Sequence, residues 1–178
     1  MKIIQDFIKE GSINRPKAKN SCTFITVHET ANEKKGADAA AHAKYIKTLQ
    51  ERTSWHYTVD DKSIYQHLPD NEKSYHTSSS NANEHSIAIE LCVNSDGDFE
   101  KTKENAIGLI RELMKKHDIA PHNILSHRDW TGKTCPEKLL KSGWEAFKRK
   151  CASEDAQGKC YISIAELIEL GYSGITFQ

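Results

Sequence analysis

The sequence lacks the long apolar run that a membrane-spanning helix requires. No apolar stretch approaches the ~20 residues that cross a bilayer, which excludes an ordinary membrane protein. The N-terminus also lacks the uninterrupted apolar segment of a secretory signal, because Asp6 and Lys9 interrupt it. We therefore expect synthesis in the cytoplasm without a signal peptide, no stable membrane insertion, and any export by another route.

The sequence also lacks an excess of either charge, since 25 basic residues balance 25 acidic ones and the formal net charge is zero. Proteins that bind nucleic acids usually carry a basic excess that displaces counterions from phosphates, so we expect no nucleic-acid partner. The charge is unevenly spread: residues 151–178 hold one lysine and four acidic residues, which leaves a mild positive excess on residues 1–150. That excess suits a polymeric anionic target without requiring one.

The composition that is present describes an ordinary globular protein. The chain has 178 residues, of which 37% are hydrophobic and 28% charged, so it can bury a core and is neither disordered nor collagen-like. Five cysteines, an odd number, argue against a disulfide framework. Nine histidines are many for this length and direct attention to metal binding or thiol chemistry.

Strand-like and helix-like segments alternate along the chain, which predicts an α/β fold with a central mixed sheet flanked by helices. The predicted strands are 23–27, ending at His28, a hairpin of 55–59 and 63–67, then 86–93, and 123–126, ending at His127. The predicted helices are 3–8, 39–50, 102–116 with Thr102 as its cap, and 136–148 begun by Pro136. Residues 11–20 and 69–86 are predicted loops.

The composition changes after Arg149, which predicts two parts of the chain. We expect a catalytic domain over residues 1–149 and a short linker with a helical C-terminal tail over 150–178, for targeting or assembly. The linker is predicted from Cys151 to Lys159, and Ser163 and Glu166 form a capping box for the tail helix. Cys151 and Cys160 either pair with each other or have no role.

Three residues have the chemistry of a catalytic zinc site. His28 and His127 end two predicted strands, and Cys135 directly precedes a predicted helix start, where the helix dipole favours a thiolate. Two imidazoles and a thiolate leave one coordination position open, as catalytic zinc sites do. The alternative is that each is an ordinary buried residue, and the spacing alone does not decide.

Glu90 and Lys133 are candidates for acid–base and electrostatic roles. Glu90 is the single charged residue of an apolar strand, where a carboxylate is costly unless it is paired or functional. Burial raises the pKa of such a carboxyl group and suits it to general-base chemistry near neutral pH. Lys133 precedes Cys135 by two residues and is placed to stabilise an oxyanion. A salt-bridged glutamate and a solvated surface lysine are the alternatives.

Four blocks of sequence, in this order and spacing, resemble the zinc-dependent N-acetylmuramoyl-L-alanine amidases of the type-2 amidase family. This family is related to phage lysozyme-type amidases and peptidoglycan-recognition proteins, and the resemblance is greatest to endolysins and autolysins of Gram-positive walls. It spans about residues 10–148. The blocks are HETAN from His28, SWHYTVDD from Ser54, SIAIELC from Ser86, and SHRDWTGKTCP from Ser126.

The resemblance implies the amidase fold and zinc held by His28, His127 and Cys135. It implies that Glu90 is the acid/base group and Lys133 a transition-state stabiliser. The implied reaction is hydrolysis of the amide bond between N-acetylmuramic acid and L-alanine of peptidoglycan, with a zinc-activated water as nucleophile. Because the sequence lacks a signal peptide, we expect action on the cell wall after release by phage-type lysis, with bacterial wall turnover as the alternative role. The oligomeric state stays open.

The environment of this site is also predicted. We expect His76, Trp55 and Asn32 to contact substrate, with a core position as the alternative for Trp55. Asp129 is expected to orient a ligand histidine from behind, a common arrangement at zinc sites.

Two further functions remain alternatives. One is a peptidoglycan-binding module of the same fold that does not cut, although such modules typically lose the zinc-binding cysteine. The other is a thiol hydrolase with Cys135 as nucleophile and His127 as base.

Overall fold

The computed structural model describes residues 2–153, which form a six-stranded mixed sheet with helices around it. The strand order is β1-β4-β3-β5-β2-β6, and only the β3–β4 pair is antiparallel. The predicted mixed α/β fold and the hairpin are thus confirmed. The strands are β1 (Ile3–Gln5), β2 (Phe24–Glu29), β3 (Tyr57–Val59), β4 (Ile64–Gln66), β5 (Ser86–Leu91) and β6 (Ile124–Ser126).

Six α-helices and one 3-10 turn (Pro121–Asn123) lie between and after the strands, with α4, α5 and α6 following β6. None of the helices in residues 2–153 is long and apolar enough to cross a membrane. The helices are α1 (Ala39–Ile46), α2 (Ser80–His85), α3 (Phe99–His117), α4 (His127–Thr131), α5 (Glu137–Ser142) and α6 (Trp144–Ala152).

The two faces of the sheet have different roles, which β5 illustrates. Its residues Ile87, Ile89 and Leu91 lie in the main core with apolar side chains of α3, α5 and α6. Ala88 points to the other face and belongs to a smaller apolar cluster with Ile46 of α1. Because side chains alternate along a strand, Glu90 lies on the same face as Ala88, away from the main core.

The prediction of a helix over residues 3–8 is wrong. Ile3, Ile4 and Gln5 form strand β1, which pairs in parallel with β4 at the edge of the sheet, and Ile8 is buried in the smaller cluster. An apolar pattern this short fits either period, and pairing with an open sheet edge satisfies backbone groups that an isolated turn of helix would leave unpaired.

Three other element predictions need correction. Asp98, not Thr102, caps α3, and the Thr102 hydroxyl donates to the Asp98 carbonyl from inside the helix. The predicted loop 69–86 contains α2, begun by the side chain of Ser79. The predicted last helix is broken at Gly143, whose φ of +146° only glycine adopts readily, and Pro136 precedes α5 as its cap.

The predicted linker from Cys151 starts too early. Helix α6 continues through Ala152, and the Cys151 side chain is fully buried in the main core. The separate C-terminal tail remains a prediction, because its capping box and Cys160 lie outside the described residues.

Candidate active site

The register of the sheet places three of the predicted site residues in one row. His28 of β2 is paired with Glu90 of β5. On the other side of β2, Val27 is paired with Ser126, the last residue of β6, and His127 follows it. Because these strands are parallel, their carboxyl ends meet at one edge of the sheet, where the three side chains converge.

The predicted metal ligands come together as a compact group. One ligand atom from each of His28, His127 and Cys135 lies within 4.8 Å of the other two, and all three residues are buried. The Cys135 Sγ is 3.8 Å from His28 Nδ1, and the centroids of the two imidazole rings are 4.7 Å apart. Neutral imidazoles and a thiol at this spacing suit a tetrahedral zinc ion with its fourth position open.

A tight return of the chain after α4 brings Cys135 back to His127. Gly132 ends α4 with φ +79°, in the left-handed region that favours glycine at a helix end. The backbone N–H of Arg128 then donates to the Cys135 carbonyl at 3.1 Å. The eight-residue spacing between the two ligands is therefore the length of one short helix and its return.

Glu29, to which the sequence assigned no role, holds the segment after Cys135 from the other face of β2. Its carboxylate accepts hydrogen bonds from the backbone N–H groups of Lys138 at 2.9 Å and Leu139 at 2.8 Å. Burial raises the pKa of Glu29, while these two bonds oppose the rise. A carboxylate is favoured at these positions, because the first N–H groups of a helix otherwise lack partners.

Glu90 lines an open cavity that is also lined by His28, His127 and Cys135. Its Oε2 is buried and has no hydrogen-bond partner among residues 2–153. Burial raises its pKa to about 8, although the positive charge of Lys133 opposes the rise. Within the described part of the chain, Glu90 forms no salt bridge. This disagrees with the alternative that Glu90 is a salt-bridged structural residue.

His76 lies behind His28. The His28 Nε2 and His76 Nδ1 atoms are 2.9 Å apart, and His76 Nε2 is 3.2 Å from the backbone carbonyl of Ala82. Burial lowers the pKa of His76 to about 3, so this ring is neutral. The ring also lines the cavity, but both of its nitrogens face protein atoms.

Asp129 does not orient a ligand histidine. Its Oδ2 accepts from the backbone N–H and hydroxyl of Ser126 at 2.6 and 2.8 Å, which forms a capping box at the start of α4. The prediction is wrong because the third residue of a helix is placed to bond its own cap, and this local bond prevails. Asp129 thus supports His127 through the backbone of its helix.

The remaining predicted contacts line the open space around the ligand group. The main cavity has a volume of about 550 Å³ and is lined by Trp55, His76, Glu90 and Lys133 together with the three ligands. Asn32 lines a neighbouring groove that shares Trp55 and Glu90 with the cavity. Trp55 is only 7% exposed and belongs to the smaller apolar cluster, so it is both a wall residue and a core residue.

Comparison with known proteins identifies the family of this chain. Residues 18–138 match the family described as N-acetylmuramoyl-L-alanine amidase. Amidase XlyA of Bacillus subtilis is 53% identical over 148 residues, 82% of this chain and 50% of XlyA. Amidase CwlH of the same organism is 46% identical over 160 residues, 88% of this chain and 64% of CwlH. The chain belongs to this amidase family.

The same relationship appears in three dimensions. The solved catalytic domain of XlyA superposes with a TM-score of 0.82 at 51% identity, covering 85% of this chain and 99% of that domain. This amidase-family chain spans about half the length of XlyA and less than two thirds of CwlH. All of the predicted site residues fall within the family match: His28, Asn32, Trp55, His76, Glu90, His127, Lys133 and Cys135.

The amidase-family geometry weighs against the thiol-hydrolase alternative. Pro136 occupies the cap of α5, so Cys135 lies outside the helix, and burial raises the pKa of its thiol to about 11. The expected thiolate is therefore not favoured by the helix dipole alone. Burial and the Lys133 charge also lower the pKa of His127. A thiolate at Cys135 then requires a cation beside it.

Proposed function

We propose that this chain hydrolyses the amide bond between N-acetylmuramic acid and the L-alanine of the peptidoglycan stem, at the bacterial cell wall. The observation that carries the proposal is the convergence of His28, His127 and Cys135 beside Glu90 and Lys133 in one open cavity. The family membership of residues 18–138 supports the same reaction.

The three ligands are proposed to hold one zinc ion. The donor set fits zinc, since two nitrogens and one sulfur leave a fourth position for water or substrate. Bound zinc lowers the pKa of a water molecule to about 7 and polarises a carbonyl group. The high pKa of the Cys135 thiol without a cation agrees with a residue whose deprotonation is coupled to metal binding.

Glu90 is proposed to move the proton. It lies beside His28 in the register and has one carboxylate oxygen without a partner in residues 2–153. That oxygen can take a proton from the attacking water as the water oxygen bonds to the lactyl carbonyl carbon. The same proton then passes to the nitrogen of L-alanine as the C–N bond breaks, which leaves a muramyl carboxylic acid and a free peptide amine. The acid then loses the remaining proton of the water to the amine or to solvent.

Lys133 is proposed to stabilise the oxyanion. Its ammonium group lies close enough to shift the pKa of Glu90, His28 and His127, so its charge acts on the whole site. Negative charge that develops on the carbonyl oxygen inside a cavity is stabilised most by a fixed positive charge already in place.

Digestion of purified peptidoglycan tests this function. Mass spectrometry should find new L-alanine amino termini and intact glycan, with cleavage lost after chelation and restored by zinc. Cys135→Ser should lose most of the zinc and the cleavage, whereas His122→Asn, which changes an exposed histidine, should keep both. Cleavage that persists without metal would instead indicate the thiol hydrolase. Binding without cleavage would indicate the recognition module.

A further inference from the structure

We propose that His76 is a positioning residue that fixes the ring tautomer of His28, so that His28 presents Nδ1, and not Nε2, to the metal. The inference rests on the proposed zinc site and adds to it which atom of His28 binds. It also gives His76 a role other than the substrate contact that the sequence predicts.

The hydrogen bonds run in series from His28 to His76 and from His76 to Ala82. Their direction follows from the last acceptor, the Ala82 carbonyl. The Ala82 carbonyl can only accept, so the proton of the neutral His76 ring resides on Nε2, 3.2 Å away. His76 Nδ1 is then unprotonated and accepts a hydrogen bond from Nε2–H of His28 at 2.9 Å. A neutral His28 ring that donates from Nε2 keeps its lone pair on Nδ1.

That lone pair faces the ligand group. His28 Nδ1 is the ring atom that lies 3.8 Å from Cys135 Sγ. The centroids of the His28 and His76 rings are 5.1 Å apart and their planes lie at 88°. An N–H···N bond between the ring edges is compatible with this arrangement, because it leaves the angle between the ring planes free. Zinc-binding histidines commonly use one nitrogen for the metal and bond the other to a fixed acceptor.

Helix α2 holds His76 in place. The side-chain oxygen of Asn83 accepts from the backbone N–H groups of His76 at 3.0 Å and Thr77 at 3.1 Å, and its amide donates to the Thr77 carbonyl. Ala82, the terminal acceptor, is the preceding residue of the same helix. Since both ring nitrogens of His76 bond protein atoms, the ring has no polar atom left for substrate.

Two measurements test whether His76 fixes the tautomer of His28. Nitrogen-15 NMR of the metal-free protein reports which ring nitrogen of His28 carries the proton, and we expect Nε2. Zinc affinity, measured by competition with a chromophoric chelator, should fall about 10–100-fold in His76→Phe, which keeps a ring but removes the acceptor. His76→Asn, whose side-chain oxygen can replace Nδ1 as acceptor, should stay close to the wild-type affinity. His122→Phe controls for loss of an exposed histidine.

A proton on Nδ1 of His28 in the wild-type protein overturns the proposal, and so does wild-type zinc affinity in folded His76→Phe. If His76→Phe does not fold, the NMR result and His76→Asn still decide. If the wild-type protein binds no zinc at all, the proposed function fails. The His28 tautomer in the metal-free protein then still tests the role of His76 by itself.

Discussion

Replacing Glu90 by glutamine should separate catalysis from stability, because the two change in opposite directions. The substitution keeps the shape of the side chain and removes its ability to accept a proton. Loss of one general base lowers turnover by about 10²–10⁴-fold, which corresponds to about 3–5 kcal/mol of transition-state stabilisation. Zinc content should be unchanged, because Glu90 is not among the three ligands.

The stability of the metal-free protein should rise or stay equal. Burial raises the pKa of Glu90 from an ordinary 4.5 to about 8. A carboxyl group with a raised pKa destabilises the folded state increasingly as the pH rises from 4.5 to about 8. At pH 7 the penalty is at most about 3 kcal/mol. Glutamine carries no charge, so Glu90→Gln removes this penalty at pH 7 and changes little near pH 4.

The assay uses one preparation of each protein. Zinc content, turnover on soluble muropeptides, and denaturant unfolding of the metal-free form at pH 4 and pH 7 are measured together. Glu104→Gln, on the exposed surface of α3, is the matched control. Near-wild-type turnover in a folded, zinc-loaded Glu90→Gln sample would remove this residue from the mechanism. A metal-free variant less stable than wild type at pH 7 would show that its carboxylate is a structural partner instead.

Glu29→Ala should weaken zinc binding and lower the free energy of unfolding by about 1–3 kcal/mol, because two backbone donors of α5 lose their acceptor; calorimetry and metal titration measure both. Burial raises the pKa of Asp70, but hydrogen bonds from Lys116, Tyr57 and His117 outweigh it and lower the pKa below 3.8. The stabilisation from the charged carboxylate is therefore present above pH 3.8 and lost as the pH falls through the folded pKa. Asp70→Asn should therefore cost about 1.5–3 kcal/mol in urea unfolding at pH 7 and much less at pH 3. A chain ending at Ser153 should fold and cut soluble muropeptides, whereas one ending at Arg149 should melt lower, since it loses the buried Cys151; equal melting temperatures would contradict this.

The sequence indicated the three candidate ligands because strand ends and short motifs carry local signals. His28 follows a run rich in β-branched residues, His127 follows a short segment with Ile124 and Leu125, and the charge of Glu90 stands out within its strand. Parallel strands also bring their carboxyl ends to one edge. The exact register between β2 and its two neighbours is a tertiary property, so the row of His28, Glu90 and His127 was not predictable from any one segment.

What the sequence missed depends on contacts between distant segments. Helix α2 lies in a polar stretch with no apolar period, so neither it nor the bond from His76 to Ala82 left a pattern to find. Glu29 follows a ligand in β2 and points to the opposite face, where its partner is a helix 109 residues later. The three residues of β1 match a helical period as well as a strand, and only the neighbouring strand decides between them.

The wide separation of the candidate ligands along the chain makes metal uptake at the proposed zinc site a reporter of complete folding. His28 and Cys135 are 107 residues apart, and β6 inserts the third ligand beside them. A chain that ends before β6 carries one of the three candidate ligands, so we expect it to lack the zinc affinity of the complete site. Zinc bound at the proposed site would also stabilise the complete domain, because free zinc at 100 times its dissociation constant adds about 2.7 kcal/mol to the free energy of unfolding.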